Sequence, residues 1–185
     1  MKALNGNMDY PIYIHTLSRD EAMEWIMDEY GESLKRFIYT YVKNKAQTDD
    51  IFQDVLFTVY QKIDTYQGRA SFKNWLYQVT ANKCKDYLRS PFHRIFIWKE
   101  EITGVVSDST PETRYLLDEQ KRSVIEAILK LPIKYREVLV LQYYKEFSIQ
   151  EISDLLKVNP STIKTRIMRA KEKLKDLLKE DFLNE

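Results

Sequence analysis

The chain has 185 residues, with 29 Lys plus Arg against 28 Asp plus Glu, one cysteine, four glycines and five prolines. That length makes one ordinary domain or two small ones, and 44% apolar residues suffice to bury a core. One cysteine cannot form an internal disulfide, and two histidines leave little for a zinc site. A run of about 18 apolar residues, a signal-peptide pattern and a Gly-rich phosphate loop are all missing, so the expectation is a cytoplasmic protein without cofactor or metal.

The net charge of +1 hides a segregation. Residues 1–65 carry 7 basic and 11 acidic groups, and residues 66–100 carry 7 and 2. An acidic stretch at 101–119 follows, with 1 basic and 5 acidic groups, and residues 161–179 are again basic, with 7 and 2. A single charge run is usually a solvated helix face. Two blocks with few acids suggest two contacts with a polyanion.

Scarce Gly and Pro with abundant Leu, Ile, Lys and Glu point to an all-α chain. Residues 1–18 read as an N-terminal extension, 19–91 as a first domain, 92–116 as a linker and 117–185 as a second domain. Ser18 to Glu21 is a capping box that opens a helix to about Tyr30. Leu34, Phe37, Ile38 and Tyr41 follow the spacing of one buried stripe. Thr48 is placed to cap the next helix, whose Ile51, Phe52, Val55, Leu56, Val59, Tyr60 and Ile63 make it apolar around much of its circumference. Thr65 to Ser71 reads as a loop, and a helix runs from about Phe72 to Leu88, ended by Ser90-Pro91.

The 92–116 segment holds Phe92, Ile95, Phe96, Ile97 and Trp98 among polar residues, so it reads as a partly adhesive linker. In the second domain Val124, Ile125, Ile128 and Leu129 mark a helix stopped by Pro132, and Val138, Leu139, Leu141 and Gln142 mark another running to about Lys145. Ser148 to Glu151 is a second capping box, with a helix to Leu156. Lys157-Val158-Asn159 is a turn, and Asn159 caps a last helix with Pro160 at its first position. Helix, tight turn and helix is the helix-turn-helix arrangement, although an amphipathic hairpin in a bundle has the same pattern. Ile163, Ile167, Ala170, Leu174 and Leu177 form its apolar stripe, and Lys164, Thr165, Arg166, Met168 and Arg169 occupy other faces.

On the middle helix Asn74, Gln78, Asn82, Lys85 and Arg89 lie along one face without an acid. The loop before it holds Tyr66, Gly68, Arg69, Ser71 and Phe72. A ring that stacks, an amide that reads an edge and cations that hold phosphate are what capture of an unstacked base needs. The competing account puts Phe72, Trp75, Leu76 and Val79 in the core.

Tyr66 to Tyr77 followed by Asn82, Asp86 and Arg89 resembles region 2 of the extracytoplasmic-function (ECF) sigma factors of the sigma-70 family. Asp50 to Asp54 resembles that family's polymerase-binding stretch, and Leu131-Pro132, Arg136 to Leu139, Ser148 to Ile152 and Thr162 to Arg166 resemble its region 4. The resemblance implies two helical domains on a flexible linker and no enzymatic chemistry. It implies core RNA polymerase, promoter DNA and an anti-sigma factor (often membrane-bound in the family) as partners, with no small-molecule substrate. It places −10 contacts on Tyr66, Gly68, Arg69, Ser71, Phe72, Asn82, Lys85 and Arg89, and −35 contacts on Ser161, Thr162, Lys164, Thr165, Arg166, Met168 and Arg169. Polymerase contacts fall on Asp50, Gln53 and Asp54. The chain departs from the family at Ala81, often Arg, and in the extension of its first 18 or so residues; Ser153 and Lys157 depart from the usual helix-turn-helix Ala and Gly. A stand-alone helix-turn-helix regulator is the alternative, but it has no use for the loop and polar face at 66–89. An all-helical adaptor leaves the two basic blocks unexplained.

Overall fold

The computed structural model describes residues 17–68, 70–90 and 119–183. Residues 1–16 of the expected N-terminal extension, Arg69 and the expected 92–116 linker lie outside the described residues. Those described are helical, with no strand among them.

Helix α1 spans Arg19–Val42, opened by the Ser18–Glu21 capping box. It does not stop at Tyr30. Gly31 sits inside it, and the Phe52 ring of the next helix approaches within 3.8 Å of where a Cβ would stand. A glycine in a helix interior costs about 1 kcal/mol relative to alanine. Here burial of Ile26, Leu34, Phe37 and Ile38 on the flanking turns carries the helix through it.

Helix α2 is Lys45–Lys62, extended by a 3-10 turn at Ile63–Thr65. Its cap is Asn44, whose Oδ1 accepts from the Gln47 N–H at 3.0 Å, and not Thr48. Thr48 lies buried in the first turn and donates its hydroxyl to the Asn44 carbonyl at 2.7 Å. Both residues are good caps, but Asn44 follows Lys43, which ends α1 in the left-handed region at φ 54°, so the chain is already turned there. Helix α3 is Phe72–Arg89, capped by Ser71. These three helices pack on one another around Ile26, Leu34, Val55, Val59 and Leu76.

In the second half, α4 is Glu119–Lys130 and α5 is Ile133–Leu139. The α4 stripe is rotated from the expected one. Val124 and Ile125 are exposed, while Ala127 is fully buried. From Leu139 the chain widens into a π-helical turn at Val140–Tyr144, closed by the Lys145 N–H on the Val140 carbonyl at 3.0 Å. The extra residue of that turn lets Phe147 fold inward, where it is buried. Helix α6, Ile149–Leu156, starts at the Ser148–Glu151 capping box, and α7, Pro160–Leu183, follows the three-residue turn. Lys157 takes the left-handed conformation at φ 55°, which explains why glycine suits that position.

The two halves share one apolar core. Val138, Leu141, Phe147, Ile152 and Ile163 belong to the same cluster as Phe37, Tyr77 and Cys84, and the Tyr77 and Phe147 rings meet edge to face at 5.3 Å. A smaller cluster of Leu131, Tyr135, Leu139 and Ala170 holds α7 onto α5.

Candidate nucleic-acid and polymerase interfaces

The helix-turn-helix is built as its caps require. The Asn159 carboxamide accepts from the Ser161 N–H at 2.9 Å, satisfying a free donor at the start of α7. Ile163 and Ala170 are fully buried and Ile167 nearly so, which fixes the rotation of α7. Ser161, Thr162, Lys164, Thr165, Met168 and Arg169 therefore stand on its solvent side. Arg166 does not. It is half-buried and its guanidinium lies 3.3 Å from the Glu137 carboxylate.

That carboxylate is a hub. Glu137 is buried, accepts the Tyr41 hydroxyl at 2.9 Å and pairs with Lys85 of α3 at 3.2 Å. One acid from α5 thus holds a cation expected on the −10 side and another expected on the −35 side. Tyr41 titrates well above its ordinary value, first because it is buried and next because Glu137 is negative.

The polar face of α3 is largely taken. Asn74 Nδ2 donates to Glu151 at 3.1 Å, and Gln78 Nε2 donates to the Asp154 carbonyl at 3.1 Å, both on α6. Lys73 donates to the Lys145 carbonyl at 2.7 Å. Asn82 and Arg89 remain exposed. Around the loop, Gly68 is exposed at φ 68° and Ser71 is half-buried as the α3 cap.

Tyr66 and Phe72, expected to stack on a base, are packed inward here. Both are buried, 5.4 Å apart and nearly perpendicular, with Trp75 at 5.6 and 5.5 Å from them. Trp25 and Tyr30 of α1 close the other side of Phe72. The Tyr66 hydroxyl donates to the Ala70 carbonyl at 2.6 Å, pinning the loop. An apolar ring with an aromatic pocket within reach gains more by burial than by waiting in water for a base.

On α2 the outward face carries Asp50, Gln53 and Asp54, all exposed, and beside them Phe57, 64% exposed, and Tyr60. The sequence reading left out Phe57. Its signal is position, since it stands three and four residues after Asp54 and Gln53, on the same side of the helix.

Arg136 and Lys145 are further buried cations at the junction. Arg136 donates to the Leu131 carbonyl, to which Nη2 is 2.6 Å, and reaches across to the Thr40 carbonyl. Burial lowers its pKa to about 10, so it stays charged at neutral pH. Lys145 bonds Ser33 Oγ, and burial, then Arg36 and Lys73, lower its pKa to about 8. Arg36 and Ser33 lie on α1, Lys73 and Tyr77 on α3, and Tyr144 precedes it, so the junction itself depresses this amine. When the halves part, the amine regains water and an ordinary pKa of about 10.4. The separated form then binds more protons between about pH 8 and the ordinary value, so docking strengthens as pH rises through that window. Lys145→Met should remove this dependence in amide exchange measured at the junction. An unchanged slope would assign it to another group.

Residues 26–91 match the family profile described as Sigma-70 region 2, and residues 121–174 match Sigma-70, region 4. The chain is 31% identical over 170 residues to the ECF RNA polymerase sigma factor SigW of Bacillus subtilis, covering 86% of this chain and 90% of that protein. It is 28% identical over 174 residues to the ECF RNA polymerase sigma factor SigX of the same organism, covering 90% of each. Among solved structures, the sigma factor RpoE in complex with the anti-sigma factor NepR from Bartonella quintana shares the fold at a TM-score of 0.68 and 24% identity, over 88% of this chain and 98% of that one. CnrH in complex with the cytosolic domain of CnrY matches at 0.62 and 22%, over 88% and 90%. The helix-turn-helix, the region 2 helices before it and these relatives agree, and the chain belongs to the ECF sigma factors of the sigma-70 family.

Proposed function

We propose that the protein binds core RNA polymerase through the outward face of α2, brings it to specific promoters with α7 and promotes melting at the −10 element with α3. The observation that carries this is the coexistence, in one chain, of an exposed helix-turn-helix face and a separate acidic and aromatic face on α2. A regulator acting on duplex alone needs only the first. Partner proteins of the anti-sigma kind fit a molecule whose halves dock, because such a partner can hold the docked form.

Lys164, Thr165 and Met168 are the proposed −35 base readers, with Arg169 on phosphate. Arg166 joins it only once released from Glu137. The test is to add the protein to bacterial core polymerase and map transcription starts on genomic DNA. Starts sharing one pair of elements support the reading. Random starts equal to those of core enzyme alone remove it. With Lys164→Ala, preference at one −35 position should relax by about 1–3 kcal/mol.

Phe57→Ser should leave stability within about 0.5 kcal/mol, because the ring is mostly in solvent already. Polymerase affinity should fall by roughly tenfold or more, as for a truncated interface aromatic. Asp54→Lys should act in the same direction. Equal recovery of polymerase by wild type and both variants in a pull-down would take the contact off α2.

A further inference from the structure

Between the docked halves lies an open cleft of about 1000 Å³. Its first wall carries Lys62 of α2 with Lys83, Lys85 and Arg89 of α3, and its second carries Lys134 of α5, Lys157 of the turn and Arg166 of α7. Among the described residues, Asp86 and Glu137 are the carboxylates in the lining. Glu137 already serves Lys85 and Arg166. Among the described residues no carboxylate pairs with Lys62, Lys83, Arg89 or Lys157.

Docking therefore gathers like charges that separation would spread apart. Cations facing one cleft repel one another, and salt screens that repulsion over a length of roughly 8 Å at physiological strength. Polar contacts flank the apolar core that joins the halves, and among them Asn74 Oδ1 is left buried without a partner. A closed form with an excess of cations facing one volume invites a counter-ion able to touch both walls. Chloride neutralises locally but cannot bridge. A run of phosphates carries several charges along one short chain, and the cleft is at the upper end of the roughly 300–1,000 Å³ of small-molecule sites. Asn82 and Gln61 add amide groups at its edge.

We propose that this cleft binds a small polyphosphate anion, with three or more linked phosphates, and that binding holds the two halves docked. Lys62, Lys134 and Lys157 belong to none of the proposed DNA or polymerase contacts, so the site is more than the DNA surface seen twice. By mass action a ligand confined to the closed form raises the closed-to-open ratio about a hundredfold at one hundred times its dissociation constant. The consequence for transcription rests on the proposed promoter contacts of Asn82, Lys85, Arg89 and Arg166, which the ligand would occupy. Binding itself does not, and the experiment reads binding and docking without DNA.

Titration calorimetry on the full chain with inorganic tripolyphosphate, against sulfate at matched ionic strength, tests the site. One tripolyphosphate per chain should bind, with no comparable saturation by sulfate. Lys62→Gln combined with Lys134→Gln, one cation from each wall and both exposed, should weaken binding at least tenfold with an unchanged circular dichroism spectrum. Lys175→Gln combined with Lys179→Gln, on the far part of α7, removes the same charge outside the cleft and should change affinity less than twofold. Hydrogen exchange should slow on α6 and at Phe147 when tripolyphosphate is added. A nucleoside triphosphate binding more tightly than tripolyphosphate would identify a nucleotide as the source, and equal affinity would identify the phosphate chain alone. Equal weakening by the two double variants, equal effects of sulfate, or binding without added protection at the junction would each overturn the proposal.

Discussion

Replacing Glu137 by Ala should open the molecule. Its carboxylate is buried and holds Tyr41 of α1, Lys85 of α3 and Arg166 of α7 at 2.9, 3.2 and 3.3 Å. Removing the acid leaves two cations facing each other and a buried hydroxyl without its acceptor. Breaking a buried ion pair costs about 3–5 kcal/mol, and the low end applies because Lys85 and Arg166 each keep a quarter of their side chain in solvent. Glu137→Gln keeps an acceptor for Tyr41 and should cost less. Tyr41→Phe should cost about 1 kcal/mol, the net worth of one hydrogen bond. Small-angle scattering should report a larger radius of gyration for Glu137→Ala at low ligand concentration. Freed Lys85 and Arg166 should also strengthen non-specific DNA binding and steepen its salt slope, by about one unit per cation gained. A Glu137→Ala protein as compact as wild type, with no coupling to Lys85→Met in a double-mutant cycle, would show that the apolar contacts hold the junction alone.

The junction explains what the sequence could and could not show. Both capping boxes, the Lys157 turn and the α7 stripe are local, and each rests on residues within one or two turns of each other. These were legible, and with them the helix-turn-helix. Tyr41 and Glu137 are 96 residues apart, and Lys145 and Ser33 are 112 apart. No periodicity links such pairs, so the covering of Asn74 and Gln78 by α6 and the diversion of Arg166 had no sequence signal. The helix end expected near Tyr30 and the cap expected at Thr48 differ for another reason. Tertiary burial carries α1 on to Val42, and Asn44 takes the capping role that Thr48 could also fill. The π-helical turn was invisible because its extra residue leaves an apolar run apolar.

Tyr66 and Asn82, read together as one base-capturing pair, should separate under mutation. Tyr66 is 3% exposed and wedged against Phe72 and Trp75, with its hydroxyl on Ala70. Tyr66→Ala removes a whole ring from that cluster and should cost about 3–5 kcal/mol, as large aromatic truncations do. A 185-residue chain whose halves share one core loses roughly 2–4 °C in melting temperature per kcal/mol, so the fall should be roughly 6–20 °C. Tyr66→Phe keeps the ring and should lose only about 1 kcal/mol. Asn82 is exposed, and Asn82→Ala should stay within about 0.5 kcal/mol of wild type. Its defect should instead lie in promoter opening. A flipped base must leave its stack at a cost of a few kcal/mol, and the amide is placed to recover part of that by reading a base edge. Asn82→Ala should thus bind core polymerase and a −35 duplex normally yet transcribe poorly from closed DNA. A template with a melted −10 bubble should restore activity in part, because opening is supplied but base capture is not. Full activity of Asn82→Ala on closed DNA would return this position to a solvated face. A Tyr66→Ala protein that melts with wild type yet fails to open promoters would mean that the ring leaves its pocket when DNA is bound, and the stacking role would be reinstated.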